Sequence, residues 1–404
     1  MKNIAVIGGG PSGMMAAYFA AEGNNVTIFE KNEKLGKKLF ITGKGRCNIT
    51  NEKEISEFFE EVPRNEKFLY SAFYSFSNLD LIKLLNSYGL KMKSERGGRI
   101  FPSSDKSSDV IATYIKMLKD RNVDVRLNSE VKSVKKNLEY FIINDNFEEK
   151  FDSLIIATGG YSYRATGSTG DGYKFARDFD INVEKLYPAL IPIELSDEFL
   201  DDLQGISLKN VSLSVKQNGK VISEEFGEML FSHFGITGPI VLRTSSKINR
   251  MNKFKLYLDL KPALDFETLD SRILRDFEKF KNKEIKNALF ELLPKKLVPV
   301  ILKIADIDES MTVNQVTRAD RNKLVHSIKE MPLTYKGLLD INAAIITSGG
   351  VSVKEIDPST MESKKVKGLY FCGEVLDVEA FTGGFNMQIA NSTGYIAGVN
   401  AGKK

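Results

Sequence analysis

Short apolar runs, separated by small or polar residues, mark both ends of the chain. Ile4–Ile7 and Val26–Phe29 predict two buried strands, and the alanine-rich stretch between them predicts a helix. Similar runs at Leu154–Ala157 and Leu369–Cys372 predict strands that return to the same sheet. A stretch of small residues after the last run, from about Asn386 to Gly398, predicts a closing helix. This alternation of strand and helix is typical of an α/β domain with a parallel sheet.

The pattern changes in the middle of the chain, from about Leu190. Apolar and polar residues alternate on both sides of Asn218-Gly219, which predicts a β-hairpin, and the stretch RMNKFKLYLDLKP predicts another strand. Apolar residues recur at helical spacing from about Glu267 to Ile304 and from Ala319 to Lys329. We therefore predict an α/β fold in which a Rossmann-type domain is interrupted by a β-barrel-like insertion with a nested helical subdomain. The predicted boundaries of these three parts are 1–190 with 341–404, 191–262 with 331–340, and 263–330.

The composition narrows the possible functions. Lys and Arg number 57 against 53 Asp and Glu, a net charge of +4, and this weak excess argues against a nucleic-acid partner. The two histidines and two cysteines have no metal-ligand or disulfide spacing, so we expect no metal site. The sequence has neither a signal-peptide pattern nor an apolar run long enough to span a bilayer, and we expect a cytoplasmic protein that does not bind membranes. Nothing in the composition indicates the oligomeric state.

A glycine-rich turn lies between the first strand and the first helix. Gly8, Gly10 and Gly13 have the G-x-G-x-x-G spacing, with Pro11 and Ser12 at the start of the helix. In this motif the glycines permit a tight turn, close approach of a pyrophosphate and close packing of helix on sheet. The second strand ends at Glu30, about 20 residues further on, where a carboxylate can hold the hydroxyls of an adenosine ribose and repel a 2′-phosphate. The sequence therefore predicts NAD or FAD.

Two later segments favour FAD over NAD. The predicted strand at Leu154 is followed by Thr158-Gly159-Gly160, and the strand at Leu369 ends at Gly373-Glu374. The closing helix begins after Gly383-Gly384, so the end of the chain returns to the nucleotide, as a long dinucleotide requires. Glu374 is then placed to accept hydrogen bonds from a ribityl chain. The positive N-terminus of the closing helix would favour the negative charge of a reduced flavin.

The stretch KKLFITGKGRCNITN, residues 37–51, has neither helical nor strand periodicity. It follows Glu30, and its residues Thr42, Gly43 and Gly45 would let the backbone run beside the cofactor, with Lys38 and Arg46 supplying positive charge. The alternative is a surface turn with a buried structural cysteine. A redox role or a covalent flavin bond for Cys47 is disfavoured, because no resolving cysteine is near it in the sequence.

These motifs resemble those of one known family. LFITGKGRCNITN, SERGGRIFPSSDKSSDVI, ATGGYSYRATGSTGDGY, FSHFGITGP and the long stretch from SGGVSVKEID to NSTGYIAG are similar to the BaiN-like, or aminoacetone-oxidase-type, FAD-binding flavoproteins. The resemblance implies a Rossmann-type FAD domain with an inserted domain that is part β-barrel and part helical. It also implies either amine oxidation or reduction of conjugated, steroid-like enones. The implied FAD contacts are Gly10, Ser12, Gly13, Glu30, Lys31, Lys38, Thr42, Gly45, Arg46, Cys47, Asn48, Val131 (through its backbone), Thr158, Gly159, Glu374, Asp377, Asn386, Met387 and Gln388.

Candidate catalytic residues are few. His233, in FSHFGITGP, carries one of the two imidazoles in the chain. Imidazole is a common acid–base group in enzymes, so His233 is either an acid–base group over the flavin or a structural residue in a loop. Tyr161, and with it Tyr163 and Arg164, follows the Gly159-Gly160 turn and is a candidate for the substrate pocket. His326 lies in a polar helical stretch and is expected to be structural or exposed.

We predict an FAD-dependent oxidoreductase that moves a hydride between a small or steroid-like substrate and flavin N5. No second G-x-G-x-x-G follows a strand, so NADH or NADPH would dock only transiently, and oxygen is the other possible acceptor. The alternatives are an amine oxidase, an FAD-dependent tRNA-modifying enzyme and a flavin-binding protein without turnover.

Overall fold

The computed structural model describes residues 1–403 and divides into two compact units. The first comprises Met1–Ala189 and the chain from Asp340 onward, and the second comprises Leu190–Leu339. The segment 263–330 belongs to this second unit and does not separate from it, so its description as a subdomain of its own stays a prediction.

Among residues 1–403, the first unit contains twelve strands and seven α-helices. The strands are β1 (Asn3–Ile7), β2 (Asn25–Phe29), β3 (Thr50–Asn51), β4 (Met92–Glu95), β5 (Arg99–Pro102), β6 (Asp124–Arg126), β7 (Val134–Lys136), β8 (Phe141–Ile143), β9 (Ser153–Ile156), β10 (Val183–Ala189), β18 (Ile346–Val351) and β19 (Leu369–Phe371). The helices are α1 (Pro11–Ala20), α2 (Lys37–Ile41), α3 (Tyr70–Ser75), α4 (Asn78–Ser87), α5 (Ser107–Asp120), α6 (Asp171–Asp178) and α13 (Phe385–Gly402).

A five-stranded parallel sheet forms the centre of this unit. Its order is β19-β9-β1-β2-β6, and every neighbouring pair runs parallel. Strands β1, β2 and β9 read as near-continuous apolar runs because they are buried. The strands before Gly8, Glu30, Thr158 and Gly373 therefore all end at one edge of the sheet, where doubly wound folds bind ligands. An α/β fold with a Rossmann-type parallel sheet is confirmed.

Helices α1 and α13 pack closely through small residues. A Cβ atom on Gly394 would lie 2.5 Å from the Ser12 carbonyl oxygen, and one on Gly398 would lie 2.3 Å from that of Ala16. Both contacts advance by four residues on each helix, so the two helices run parallel with their N-termini toward the same edge of the sheet. The small-residue composition of the closing helix is explained by this contact.

The second unit contains seven strands and six α-helices. The strands are β11 (Ile193–Leu195), β12 (Ser207–Gln217), β13 (Lys220–Ser232), β14 (Gly235–Thr237), β15 (Lys255–Asp259), β16 (Met331–Leu333) and β17 (Tyr335–Leu338). The helices are α7 (Leu200–Leu203), α8 (Pro239–Ile248), α9 (Phe266–Lys279), α10 (Ile285–Leu289), α11 (Leu297–Ile304) and α12 (Arg318–Lys329).

The strands of the second unit form one antiparallel sheet of order β16-β15-β12-β13-β14-β11-β17. The hairpin between β12 and β13 turns at Asn218-Gly219, both with positive φ, as its sequence predicts. The two edge strands, β16 and β17, are separated in sequence by Thr334 alone, which requires the two edges of the sheet to approach each other. Full closure into a barrel stays a prediction.

The helical spacing predicted over 267–304 corresponds to three helices, α9 to α11, separated by turns. Two local predictions were wrong. Residues 37–41 of the stretch predicted to be irregular form helix α2, a single short helix that periodicity cannot reveal. FSHFGITGP is not a loop: His233 and Phe234 form the two-residue turn between β13 and β14, and α8 begins at Pro239.

No helix in residues 1–403 is long and apolar enough to cross a membrane.

Candidate cofactor site

A cavity in the first unit runs along the carboxyl edge of the parallel sheet. It is lined by residues that follow β1, β2, β9 and β19, among them Gly10, Glu30, Thr158 and Glu374. These four strands are neighbours in the order β19-β9-β1-β2, so the cavity crosses three strand intervals, about 14 Å at ~4.8 Å each. An elongated ligand is therefore expected to lie across the sheet.

The glycine-rich turn forms the middle of the cavity. Gly8 has φ +107, and a Cβ there would lie 2.4 Å from the Ala157 carbonyl oxygen, so no other residue fits. A Cβ on Gly13 would lie 1.9 Å from the Gly8 carbonyl oxygen. A Cβ on Gly10, in contrast, would meet no protein atom within 4 Å. The first two glycines serve the packing of the protein itself, while Gly10 leaves space on the cavity side.

Helix α1 begins beside this space and lacks a side-chain cap. Its first turn contains no acidic residue, and Pro11 occupies its first position. The free N–H groups and the positive end of the helix are therefore available to an anion such as a pyrophosphate.

Glu30 marks one end of the cavity and is almost fully buried. Its carboxylate accepts hydrogen bonds from the Gly9 N–H at 2.7 Å and from the Asn32 N–H at 2.8 Å. These bonds hold the carboxylate in place and keep it beside the glycine-rich turn. This is the position from which an acid reaches an adenosine ribose.

Lys38 and Glu374 form an ion pair at the other end, with Lys38 Nζ 2.7 Å from Glu374 Oε2. Lys38 also donates to Ser162 Oγ at 2.9 Å, and Glu374 accepts from the Thr347 N–H at 3.0 Å. The pair joins residues 336 positions apart in sequence. A mostly buried ammonium group therefore stands at the end of the cavity opposite Glu30.

The segment after β9 lies over the cavity and is tied to the segment after β2. Lys31 pairs with Asp171 at 2.6 Å, and the Asn32 side-chain amide donates to the Thr166 carbonyl at 3.2 Å. All four residues line the cavity. These contacts bring its two walls together near Glu30.

The residues of the cavity fit a dinucleotide. Gly10 leaves open space on the cavity side, since a Cβ there would meet no protein atom within 4 Å, and Thr158 and Gly159 line the same cavity. A pyrophosphate requires open space beside free N–H groups, which Gly10 and the start of α1 provide. A ribose requires a carboxylate such as that of Glu30, which lies beside them.

The backbone from Thr42 to Cys47 turns sharply. Gly43, Lys44, Gly45 and Cys47 all have positive φ, which is unusual for the two non-glycine residues. Only Thr42 of this segment lines the cavity.

The position of Arg46 departs from the prediction that its charge faces the cofactor. Its guanidinium binds the Glu95 carboxylate through two bonds of 2.9 and 3.0 Å, pairs with Asp105, and stacks on Phe101 at 4.1 Å. Arg46 does not line the cavity, and its guanidinium is bound by these partners, so its contact with the cofactor stays a prediction.

Most of the predicted cofactor residues are brought together in one cavity. Those that line it are Gly8, Gly10, Pro11, Ser12, Glu30, Lys31, Lys38, Thr42, Val131, Thr158, Gly159, Glu374, Asn386 and Met387. Those that do not line it are Gly13, Gly43, Gly45, Arg46, Cys47, Asn48, Gly160, Gly373, Asp377, Gly384 and Gln388. Gln388 is fully buried, and its amide is engaged by Thr50, Phe76 and Ser392, so its side chain is structural.

Several lining residues were not predicted, among them Asn32, Ser168, Asp171 and Ile345. Asp171 could have been found from its acidic side chain at the start of a helix after the Gly159-Gly160 turn. Ile345 carries no such pattern, because an isoleucine before an apolar strand looks like any core residue.

Within residues 1–403, no three His, Cys, Asp or Glu side chains are grouped to hold a metal ion.

The predicted catalytic residues Tyr161 and His233 lie in different parts of the fold and have different neighbours. The Arg164 guanidinium lies over the Tyr161 ring, 3.8 Å from the ring centroid, and the backbone N–H of Tyr161 donates to Thr347 Oγ1. Tyr163 lies 5.9 Å from Lys38 Nζ. His233 belongs to the second unit, where its exposed imidazole stands in the β13–β14 turn.

Both cysteines are expected to be unreactive in the folded protein. Burial raises the pKa of the Cys47 thiol from 9.0 to about 12 and that of Cys372 likewise. Titration with a thiol reagent near pH 8 should label neither group until denaturant is added, after which two thiols per chain should react. Because the folded thiols bind their protons more tightly, their contribution to stability is complete below about pH 9 and is lost as pH rises toward about 12. Rapid labelling of the native protein would contradict this assignment.

Comparisons with known proteins find relatives that match over almost the whole chain. The family described as HI0933-like protein Rossmann domain matches residues 2–400. The chain is 30% identical over 413 residues to the 3-dehydro-bile acid delta(4,6)-reductase of Clostridium scindens, covering 100% of both chains. It is 32% identical over 395 residues to the ribosomal RNA dihydrouridine synthase of Escherichia coli, covering 96% of this chain and 95% of the relative.

A solved structure shares the fold. The 3-ketosteroid-delta4-(5alpha)-dehydrogenase from Rhodococcus jostii superposes with a TM-score of 0.52 at 12% identity, covering 100% of this chain and 97% of the other. At this identity the likeness concerns the architecture alone. The match over residues 2–400 shows that the chain belongs to the HI0933-like family of FAD-dependent Rossmann oxidoreductases.

Proposed function

We propose that the protein reduces a carbon–carbon double bond conjugated to a carbonyl group, with FAD as hydride carrier and NADH or NADPH as electron donor. Bound FAD would supply a ring that accepts and gives a hydride at N5. The observation that carries this proposal is the chemistry common to two full-length relatives. A 3-dehydro bile acid with a delta(4,6) system has its alkenes conjugated to the C3 carbonyl, and the uracil C5=C6 bond that is saturated in dihydrouridine is conjugated to C4=O.

Such a reduction needs two contributions from the protein. Hydride addition to the far carbon places negative charge on the carbonyl oxygen, which a hydrogen-bond donor must stabilise, and the near carbon must receive a proton. Lys38 is suited to the first task because Glu374 and Ser162 hold two of its N–H groups and leave the third free. Its place opposite Glu30 is the end where the flavin ring would lie if the adenosine binds at Glu30.

The proton donor is proposed among the residues selected from the sequence, Tyr161 and His233. If one of them is the donor, Tyr161→Phe or His233→Ala should slow oxidation of the reduced flavin by an enone by at least about 100-fold, with the FAD spectrum unchanged. His326→Ala is the matched control, because it removes the other exposed imidazole of the same unit. Unchanged rates in both variants would remove both residues from the mechanism.

The reaction class is tested by following the visible spectrum of the purified protein without oxygen. NADH or NADPH should bleach the flavin, and a 3-keto-4-ene steroid or a uridine-containing RNA should restore its colour before air is admitted. Bleaching by a primary amine, with recovery only in air, would identify an amine oxidase instead. A flavin that no donor bleaches would identify a binding protein without turnover.

A further inference from the structure

Positive charge is concentrated in two segments of the first unit. Residues 34–46 carry five basic side chains and no acidic one, and residues 91–106 carry five basic and two acidic. Their net charge is +8, whereas the whole chain has +4, so the remaining residues have a net charge of −4. The weak excess of positive charge over the whole chain therefore conceals a strong local excess in these two segments.

The fold joins these two segments into one surface, here called the basic face. Strand β5 pairs with β4 and with β3, which directly follows the first segment. Arg46 of the first segment stacks on Phe101 and binds Glu95 of the second. The Ser107 hydroxyl, at the start of α5, donates to the Phe40 carbonyl at 2.8 Å.

Most of the charge on the basic face is not neutralised. Lys37, Lys38, Arg46 and Lys93 are paired with acids. Six other cations are exposed and make no ion pair with any residue in 1–403: Lys34, Lys44, Lys91, Arg96, Arg99 and Lys106. A set of unpaired cations on one face attracts a polyanion.

Exposed apolar side chains accompany these charges. Phe40 is 47% exposed and Ile41 42% exposed, both on the short helix α2. Tyr163, 37% exposed, lies near Lys38 at the cavity. Aromatic rings among lysines and arginines are the combination that holds unpaired bases along a phosphate backbone.

The basic face adjoins the cavity. Lys37, Lys38 and Thr42 line the cavity and belong to the same segment as Lys34, Phe40 and Lys44. A chain bound on this face therefore passes beside residues that line the cavity. A steroid-sized substrate needs no such extended charge.

We propose that the basic face docks the phosphate backbone of RNA and presents an unpaired uridine to the cavity. The inference rests on the proposed function, because uridine contains the conjugated double bond that the cavity would reduce. It replaces the expectation of no nucleic-acid partner, which the weak excess of positive charge in the sequence favoured.

The RNA-docking proposal is tested by filter binding of the purified holoprotein to a labelled single-stranded U-rich RNA and to a ribosomal RNA transcript. Binding is measured at KCl concentrations from about 50 to about 200 mM. The variant Lys91→Gln/Arg96→Gln/Arg99→Gln/Lys106→Gln should weaken binding at least about tenfold and reduce the salt slope by about 3, since each lost phosphate contact on a single strand removes about 0.7. Its FAD absorbance should be unchanged, because none of the four residues lines the cavity.

The matched control is Lys281→Gln/Lys283→Gln/Lys295→Gln/Lys296→Gln, which removes the same charge from exposed lysines of the second unit. It should bind RNA within about twofold of the wild type. Equal losses in both variants, or no RNA binding by the wild type, would overturn the proposal, as would binding only to vesicles of anionic phospholipid.

Failure of the docking inference is distinguishable from failure of the reaction. Reduction of a steroid enone without RNA binding overturns the docking face and leaves the proposed function standing. RNA binding that depends on the basic face, by a protein whose reduced flavin no enone oxidises, supports the face and overturns the reaction.

Discussion

Replacement of Gly10 by valine is expected to yield a folded protein that purifies almost without FAD. Gly10 has φ −81 and ψ 179, which valine adopts without strain, and a Cβ there meets no protein atom within 4 Å. The new methyl groups would instead occupy the space in front of the α1 N-terminus, where a pyrophosphate must approach. We expect FAD affinity to fall at least about 100-fold, or about 2.7 kcal/mol.

The measurement is the ratio of flavin to protein absorbance after purification and after titration with FAD. Circular dichroism of the apoprotein, compared with wild-type apoprotein, reports folding separately. A yellow Gly10→Val protein with normal affinity would show that the cofactor does not pass this turn, and the orientation proposed for the cavity would be wrong.

Replacement of Gly13 by alanine is expected to destabilise the first unit even without cofactor. The added Cβ would lie 1.9 Å from the Gly8 carbonyl oxygen, a backbone atom that cannot move without disturbing the β1–α1 turn. Overpacking of this kind costs about 3 kcal/mol or more, which corresponds to a fall of roughly 6–12 °C in Tm.

Thermal unfolding of the apoproteins measures this effect. Gly337→Ala is the control, because a Cβ there would meet its nearest neighbour only at 3.5 Å, an ordinary contact distance. A Gly13→Ala Tm within about 2 °C of the wild type would mean that α1 can shift away from the sheet at little cost.

Gly10 and Gly13 have different functions within the same glycine-rich motif. Gly13 serves the packing of helix on strand, and Gly10 serves the ligand. Their spacing in the sequence is equally conspicuous, and only the neighbours of each Cβ position distinguish them.

Partners far away in sequence decide where some side chains lie. From its charge and its place in a glycine-rich stretch, Arg46 is predicted to face the cofactor, and this contact stays a prediction. In the fold, Glu95 and Asp105, on and after the β4–β5 hairpin, bind its guanidinium. A single sequence does not reveal which acid a given arginine meets, since the energy of the pair depends on a distance that the fold sets.

The basic face was missed for a related reason. Averaged over 404 residues, the charge is close to balanced. The two basic segments are about 50 residues apart, and they become one surface only through the pairing of β3 with β5. Net charge measures composition, whereas binding of a polyanion depends on local density.

The sequence by itself determined the unit from β1 to Glu30, because this unit depends on periodicity and spacing within about thirty consecutive residues. It also determined the α/β class and the family, because each of the apolar runs and motifs that indicate them is short and continuous in the chain. The tertiary structure alone decided that Lys38 meets Glu374, that Asp171 meets Lys31, and that two basic segments share a face. The physical reason is that parallel strands bring their carboxyl ends to one edge, so residues hundreds of positions apart become neighbours. Coulomb and hydrogen-bond energies act only at those short distances.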